Sequence, residues 1–298
     1  MTINELNSRY GAPGRIVFKE GHAGYPNVVI ANKYGSAEIA MLGANVLSYK
    51  PTGHSEVLFR PAKRDYNRGE SIHGGVPVCW PQFGNRFSKT LPQHGFARIM
   101  PFTVKGTEYS EDMTEVTLSI RSDGETKKLW PHDFELEVKI SVSMKLNISM
   151  TTKNIGDEPF EFSCGFHPYF LLRNRDDAVI KGLGGTKALD VVEAKEAVFD
   201  DEIVVDHALD HVFTMKMEPK HEYAILDNSL HRALAMVSAG NDMTVVWNCG
   251  EAVMKDFEPD DWKKYVCVEP VSDWPGGRTL VPGERHSLTA AIQATLAC

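Results

Sequence analysis

The segment from residue 71 to residue 98, SIHGGVPVCWPQFGNRFSKTLPQHGFAR, concentrates side chains that could bind a small polar molecule. Its aromatic rings offer flat apolar faces, while His94 and Arg98 offer polar contacts. The paired glycines Gly74 and Gly75 would let the backbone approach a ligand closely, because glycine has no side chain. Concave sites for small polar molecules combine these features. The composition therefore predicts a binding site here, and a sugar is the ligand that suits it best.

The same region carries an excess of positive charge. From Arg60 to Arg98 there are seven Lys or Arg residues and two acidic ones, so the segment is net +5. The whole chain is net −8, which leaves −13 for the remainder. A cationic region on an acidic protein favours an anionic substrate group such as a phosphate, although a solvated basic loop has the same composition. A pI of about 5.8 and the lack of a nucleic-acid-binding motif argue against a nucleic-acid partner.

Three further positions carry side chains suited to proton transfer or hydrogen bonding. His167, in CGFHPYF, precedes a proline, which predicts extended backbone and a fixed imidazole. A hydrogen-bonded core histidine is the alternative. Glu269, in YVCVEPV, is either a carboxylate at an exposed strand end or a buried general base. Asp210, in LDHVF, binds a sugar hydroxyl or caps a turn. The segment 247–251, WNCGE, is assigned a mainly structural role.

The chain lacks the short motifs of several other enzyme classes, namely HExxH, GxSxG, the P-loop and a GxGxxG after a strand. Its five cysteines are odd in number and include no CxxC pair, which predicts reduced thiols and no structural zinc site. The first fifteen residues show no apolar core of a signal peptide, and no apolar run approaches the roughly 20 residues of a membrane-spanning helix. We therefore expect a cytoplasmic protein without a membrane partner.

The elements that must position these residues are predominantly β-strands. From Phe134 to Met150 every second residue is apolar, which indicates a strand with one buried face. Because no glycine or proline interrupts this run, it predicts one long curved strand rather than a tight hairpin. Similar alternation recurs along the chain, at residues 28–41, 116–120, 244–247 and 286–296. Helical periodicity is confined to residues 3–10 and 259–264. The pattern predicts an all-β, large antiparallel sandwich with few short helices, as a single domain over residues 1–298.

Five blocks resemble a known family. GGVPVCWPQFG, LPQHGFAR, GFHPYF, LDHVF and VCVEPV occur in this order. Together they are similar to the glucose-6-phosphate 1-epimerases, which are hexose-6-phosphate mutarotases of the aldose 1-epimerase (galactose mutarotase-like) superfamily. The resemblance implies a β-supersandwich and an isomerase that interconverts the α and β anomers of a sugar phosphate. It also implies that no metal or organic cofactor is required. We expect a monomer.

The resemblance also implies roles for individual residues. His167 would be the acid that protonates the ring oxygen, and Glu269 the base that takes the proton from the C1 hydroxyl. The resemblance further implies that Asp210 binds sugar hydroxyls and that Gln93 and Arg98 bind the substrate. His94 would lie against the sugar ring. A neutral carboxylic acid cannot act as a base, so we expect an ionised Glu269 beside a protonated His167, stabilised by their attraction.

One position departs from the family pattern. Members usually carry an arginine directly before the paired glycines, where it helps to hold the phosphate, and this chain has His73. Histidine is a weaker and pH-dependent anion ligand. Either another cation of the window compensates, or the substrate is not a hexose 6-phosphate. The candidates for compensation are Arg60, Arg64, Arg68, Arg86 and Lys89.

Three alternatives to a hexose-6-phosphate mutarotase stay open at this point. The first is a mutarotase for a non-phosphorylated aldose, which His73 would favour. The second is a non-catalytic carbohydrate-binding protein, because β-sandwiches with aromatic side chains bind glycans. The third is an interaction protein that keeps the fold without activity. The joint presence of His167 and Glu269 argues against the last two.

Overall fold

The computed structural model describes residues 1–62, 69–85, 88–200, 202–216, 218–252, 254–273 and 277–296. The strands of the first half are β1 Ile16–Glu20, β2 Pro26–Asn32, β3 Gly35–Ala40, β4 Asn45–Pro51, β5 Val78–Cys79, β6 Thr103–Tyr109, β7 Thr114–Arg121, β8 Phe134–Val142, β9 Leu146–Asn154, β10 Phe160–Phe162, β11 Cys164–Phe166 and β12 Tyr169–Leu171. Those of the second half are β13 Ala178–Lys181, β14 Lys187–Asp190, β15 Lys195–Val198, β16 Glu202–Val204, β17 Leu209–Thr214, β18 His221–Asp227, β19 Arg232–Ala239, β20 Met243–Asn248, β21 Tyr265–Ser272, β22 Arg278–Leu280 and β23 Arg285–Leu296.

Helices are short. The predicted helix over residues 3–10 is confirmed as α1, Ile3–Tyr10, which Thr2 and Glu5 cap reciprocally. A second helix, α2, Gly124–Leu129, was not expected, although the Asp123 carboxylate that caps it is visible in the sequence. The remaining helical turns are 3₁₀ turns at His22–Gly24, Ala97–Ile99, Arg175–Asp177, Asn228–Leu230 and Asp261–Lys264. The last of these is the helix predicted near residue 260. Over the described ranges, no helix is long and apolar enough to cross a membrane.

Within the described ranges the strands form four antiparallel sheets. The largest has nine strands in the order β16-β13-β18-β19-β23-β9-β8-β7-β6. The second has the order β15-β14-β17-β20-β21-β11-β5, with β12 also paired to β21. An N-terminal sheet has the order β1-β2-β3-β4, and β10 pairs with β22. This arrangement confirms the predicted all-β antiparallel architecture.

The core lies on one face of the nine-stranded sheet. Along β8 the apolar residues Phe134, Leu136 and Val138 are fully buried, while Glu135 and Glu137 point the other way. Strands β2 and β3 pack against β7 and β8, and β11 and β21 pack against β23. Two smaller sheets thus cover the apolar face of the large one. Burial of apolar surface at about 25 cal/mol per Å² drives this layering.

The apolar run from Phe134 to Met150 is two strands, so the single long strand predicted from it was wrong. β8 and β9 form a hairpin in which Val142 pairs with Leu146 across a three-residue turn. These partners are four positions apart, an even number. Every second residue therefore stays apolar through the turn and into the next strand. The turn contains neither glycine nor proline, and the Ser143 hydroxyl and Lys145 carbonyl accept hydrogen bonds that close it.

Candidate active site

One face of the eight-stranded sheet forms the floor of a pocket of about 270 Å³. Facing residues of neighbouring strands lie side by side, so the register produces two rows of side chains. The first row runs across four strands, through Tyr169, Cys267, Trp247 and Asp210. The second row lies two residues further along and contains His167, Glu269 and Val245. Two short segments, β11–β12 and β21, therefore bring the histidine and the glutamate together.

The structure brings all seven predicted site residues to this one pocket. They are His73, Gln93, His94, Arg98, His167, Asp210 and Glu269. The remaining wall is made largely of Phe83, Tyr169, Trp247 and Met254. Ligand pockets usually measure roughly 300–1,000 Å³, so a volume just below this range suits a small ligand such as a monosaccharide. The mixture of aromatic faces and polar groups is the one expected for a sugar.

His167 and Glu269 are in direct contact at the floor of the pocket. The His167 Nε2 atom lies 3.3 Å from the Glu269 Oε1 atom, and both side chains are buried. The His167 backbone N–H donates to the carbonyl of Pro77, and its ring stacks on Tyr169 at 4.9 Å. The imidazole is therefore held by packing and by its own backbone. The two side chains are thus close enough to share a proton.

Burial works against the ionised pair that the sequence analysis expected. It raises the pKa of Glu269 well above its usual range, and the nearby Asp210 raises that pKa further. Burial lowers the pKa of His167 well below its usual range, and the positive charge of Arg98 lowers that pKa further. Removing both groups from water costs more than their attraction returns. These directions favour a neutral pair that holds one proton, carried by Glu269 at rest.

His94 is held in a single tautomer by the backbone around it. The His94 Nδ1 atom accepts a hydrogen bond from the Gly84 backbone N–H at 3.2 Å. The His94 backbone N–H in turn donates to the Gly84 carbonyl at 2.7 Å. Burial, followed by the charges of Arg98 and His73, lowers its pKa to about 3. The ring is therefore neutral at physiological pH, with the remaining proton on Nε2. His94 can donate a hydrogen bond there but adds no charge.

Arg98 supplies a positive charge at the pocket wall. It lies in the 3₁₀ turn Ala97–Ile99, and its guanidinium donates to the Gln93 carbonyl at 2.8 Å. One contact leaves further donors of the guanidinium available for a ligand. Asp210 lies on the floor of the same pocket, where burial and then the charge of Asp190 raise its pKa. The two residues give the pocket one cationic and one acidic side chain.

His73 does not lie free in the pocket, because a carboxylate that the sequence analysis missed holds it. The Asp256 oxygens lie 2.8 and 3.0 Å from His73 Nδ1. The contact joins residues 183 positions apart in the sequence. No local signal in the sequence could have revealed it. The pairing leaves Nε2 as the ring nitrogen available to a ligand.

The paired glycines have a structural role rather than the ligand contact predicted for them. Both adopt positive φ, 81° at Gly74 and 69° at Gly75. A side chain at Gly75 would overlap the Val46 carbonyl, and one at Gly74 would crowd Arg60 and the Phe59 carbonyl. The close approach is thus to neighbouring chain segments. It fixes the loop that carries His73.

The cations proposed to compensate for His73 are only partly accounted for. Arg64, Arg68 and Arg86 lie outside the described residues. Arg60 is half-buried and acts on Glu38, whose pKa it helps to lower. Lys89 is exposed. Neither Arg60 nor Lys89 lines the pocket, which leaves Arg98 as the arginine of the pocket wall over the described ranges.

Two aromatic residues of the floor were missed or misassigned by the sequence analysis. Tyr169 is two residues after His167, and its ring stacks on the imidazole. Trp247 lies in a segment assigned a structural role, yet its ring lines the pocket and meets His167 at 5.5 Å. The structural role is correct for its neighbour Asn248, which donates to the Trp262 and Tyr265 carbonyls. Trp247 and Asn248 are consecutive in β20, so their side chains point to opposite faces of the sheet. This alternation could have assigned them different roles.

Substitution of Gly95 should test the loop that places His94. Gly95 has φ +73°, and a side chain there would overlap the Trp80 carbonyl. A non-glycine residue in the left-handed conformation costs about 1–2 kcal/mol. We expect Gly95→Ala to lower the free energy of unfolding by more than this, because the overlap with Trp80 adds to the backbone cost. Gly53→Ala is the matched control, because Gly53 has φ +80° and open space around it. Urea unfolding measures both, and equal losses would show that the contact with Trp80 is unimportant.

Comparison with known proteins agrees with this geometry. The family model for aldose 1-epimerase matches residues 26–293. A protein of Escherichia coli (strain K12) named "Putative glucose-6-phosphate 1-epimerase" is 35% identical over 246 residues, which cover 81% of each chain. A protein of Cenchrus ciliaris with the same name is 30% identical over 273 residues, 87% of this chain and 81% of the other.

A solved structure shows the same fold over nearly the whole length. It is described as a "putative mutarotase" from Salmonella typhimurium, with a TM-score of 0.88, 28% identity and 99% coverage of both chains. Fold, family match and sequence identity all agree. The chain therefore belongs to the aldose 1-epimerase family, and it is a carbohydrate epimerase.

Proposed function

We propose that the protein interconverts the α and β anomers of a hexose 6-phosphate, with glucose 6-phosphate as the first candidate. The observation that carries the proposal is the buried contact between His167 and Glu269, at 3.3 Å on the floor of a sugar-sized pocket. The charge of Arg98 in the wall of the same pocket supports an anionic substituent on the sugar. The names of the relatives support the 6-phosphate.

Ring opening of a hemiacetal requires two proton transfers. A base takes the proton from the O1 hydroxyl, an acid gives a proton to the ring oxygen O5, the C1–O5 bond breaks and O1 becomes the carbonyl oxygen. Glu269 acts as the base and His167 as the acid, after the proton that they share has passed to the imidazole. Rotation about the C1–C2 bond turns the other carbonyl face toward O5. The two residues then exchange roles, and closure yields the other anomer.

A pair that holds one proton suits this cycle. With no proton the pair has no acid, and with two protons it has no base. Because burial lowers the pKa of His167 and raises that of Glu269, both of those inactive states are disfavoured near neutral pH. The proton count of the pair is also the same before and after each turnover. No group outside the pair needs to store a proton.

The other pocket residues bind the sugar in this proposal. Trp247 and Tyr169 offer apolar faces for the sugar ring, and Asp210 accepts hydrogen bonds from its hydroxyls. His94 donates from Nε2 against the ring without adding charge. Gln93 and Arg98, linked by their own hydrogen bond, face the end that receives the phosphate. His73 supplies Nε2 at the same pocket from its contact with Asp256.

Removal of the Arg98 charge should weaken activity on the phosphorylated sugar selectively. Hydrogen bonds to charged groups contribute about 1.5–3 kcal/mol, and 1.4 kcal/mol corresponds to a factor of ten. We expect Arg98→Gln to lower kcat/KM for glucose 6-phosphate roughly 10- to 100-fold relative to its effect on free glucose. Arg98 also acts on the Glu269 pKa, so the ratio between the two sugars is the measured quantity.

The control for this experiment is Lys89→Gln, which removes an exposed cation outside the pocket. It should leave the ratio between the two sugars unchanged. An equal loss on both sugars in Arg98→Gln would remove Arg98 from phosphate binding. A wild-type enzyme that acts faster on free glucose would favour a mutarotase for non-phosphorylated aldoses, which the pairing of His73 with a carboxylate would then explain.

A further inference from the structure

The catalytic floor contains a third donor atom that the anomer exchange does not use. Cys267 lies two residues before Glu269 on the same face of β21, and it faces Tyr169 across the ladder. The ligand atoms of His167, Cys267 and Glu269 all lie within 4.8 Å of one another, and all three residues are buried. One nitrogen, one sulfur and one oxygen donor therefore converge at one point beneath the pocket.

We propose that His167, Cys267 and Glu269 form an inhibitory binding site for a zinc ion. The inhibitory effect rests on the proposed function. The binding of the metal does not, because it can be measured without any activity. Nitrogen, thiolate and carboxylate oxygen are the three ligand types that Zn²⁺ accepts, and three protein ligands with one open position form a common arrangement.

The distances fit after a small contraction. Bonds from zinc are about 2.0–2.2 Å to nitrogen and oxygen and about 2.3 Å to sulfur, which puts tetrahedral donor atoms roughly 3.2–3.7 Å apart. His167 Nε2 and Glu269 Oε1 are already 3.3 Å apart. The sulfur of Cys267 lies within 4.8 Å of the other two donors, and it is the donor that must approach.

An unsatisfied carboxylate oxygen gives a second, independent reason for a ligand at this point. Glu269 Oε2 is buried and finds no hydrogen-bond partner among the residues that the structure describes. Buried polar atoms usually have partners. A dication bound to Glu269 and His167 would stabilise the carboxylate that burial alone disfavours.

The binding step balances in charge and protons. Zn²⁺ displaces the proton of the Cys267 thiol and the proton shared by His167 and Glu269, and both leave to solvent. The bound state then contains a thiolate, a carboxylate and a neutral imidazole, whose two negative charges neutralise the ion. The fourth position is left for a water molecule. Because the ion occupies His167 Nε2 and the Glu269 carboxylate, the enzyme loses both its acid and its base.

The test uses Zn²⁺ inhibition together with Co²⁺ spectroscopy on the full-length, metal-free protein. We expect Zn²⁺ to inhibit anomer exchange and Co²⁺ to produce a thiolate-to-cobalt charge-transfer band. Cys267→Ala should lose that band and need at least about tenfold more Zn²⁺ for half-inhibition, since loss of even an outer-shell partner costs 10–100-fold. Each protein is compared with its own metal-free rate.

Cys249→Ala is the matched control. Cys249 is a more exposed thiol that does not line the described pocket, so it reports incidental metal binding. It should keep both the band and the zinc sensitivity. A wild-type protein without a Co²⁺ thiolate band, or a Cys267→Ala variant with unchanged zinc sensitivity, would overturn the site. Absence of anomer exchange alongside a Cys267-dependent band would instead overturn the proposed function and leave the site intact.

Discussion

Replacement of Glu269 by glutamine should reduce anomer exchange roughly 10²- to 10⁴-fold, the usual contribution of one positioned proton transfer. Glutamine has nearly the same shape and keeps a hydrogen-bonding oxygen at the position that contacts His167. It cannot accept the proton of the sugar O1 hydroxyl. The measurement is kcat/KM for glucose 6-phosphate from magnetisation-exchange NMR, with circular dichroism to verify the fold.

The same variant should be at least as stable as the wild type at neutral pH. The pKa of Glu269 is higher in the folded protein than its ordinary value of 4.5. The folded state therefore binds the proton more tightly than the unfolded state, and the free energy of unfolding falls as pH rises from 4.5 toward the folded pKa. Glutamine does not have this penalty, so the advantage of the variant in thermal melting should grow from acidic to neutral pH.

Glu161→Gln serves as the control, because Glu161 is exposed on β10. It should change neither activity nor the pH dependence of stability. If Glu269→Gln retained wild-type exchange, another group would have to be the base. If it melted well below the wild type at neutral pH, Glu269 would be making a stabilising ionic contact, contrary to the direction of its pKa.

Replacement of His167 by asparagine should cause a loss of similar size, about 10²- to 10⁴-fold. Asparagine fits beside Tyr169 and can still form a hydrogen bond, but it cannot protonate the ring oxygen O5. The wild-type kcat/KM should follow a bell-shaped curve with pH, and its two apparent pKa values belong to the pair rather than to either residue. On the acid side of the curve, activity falls because the His167–Glu269 pair takes up a second proton. On the alkaline side, activity falls because the pair loses its single proton.

Stability gives a readout of His167 that is separate from activity. Its pKa is lowered in the folded protein, so the unfolded state binds the proton more tightly and stability is lost as pH falls below about 6.5. The asparagine variant should lose less stability over that range than the wild type. His211→Asn is the control, since His211 is buried beside Asp190 and outside the pocket, and it should retain full activity. Wild-type exchange in His167→Asn would remove His167 from the mechanism.

Patterning along single strands could be predicted from the sequence because burial imposes it directly. Alternation at residues 116–120, 244–247 and 286–296 corresponds to β7, β20 and β23. The β8–β9 hairpin escaped prediction for a physical reason. A turn that spans an even number of positions keeps the same residues on the core side, so alternation alone cannot reveal where the chain reverses.

In the site, too, residues could be predicted from their own segments, whereas contacts between distant segments could not. His167 and Glu269 could be named from their own segments, and the register of β11, β12 and β21 explains why they meet. Asp256 could not be named, because only the fold brings it to His73. The protonation of the pair was also beyond prediction. It depends on how completely both groups are removed from water, and that depth is a property of the packed sandwich.

Magnetisation-exchange NMR on equilibrated glucose 6-phosphate, beside free glucose and galactose, tests the central claim most directly. We predict that the wild-type protein accelerates exchange between the α and β signals, and that it does so most strongly for the phosphorylated sugar. The Glu269→Gln and His167→Asn variants should return the exchange close to the uncatalysed rate. No acceleration with any of the three sugars, or equal acceleration by the wild type and both variants, would contradict the account.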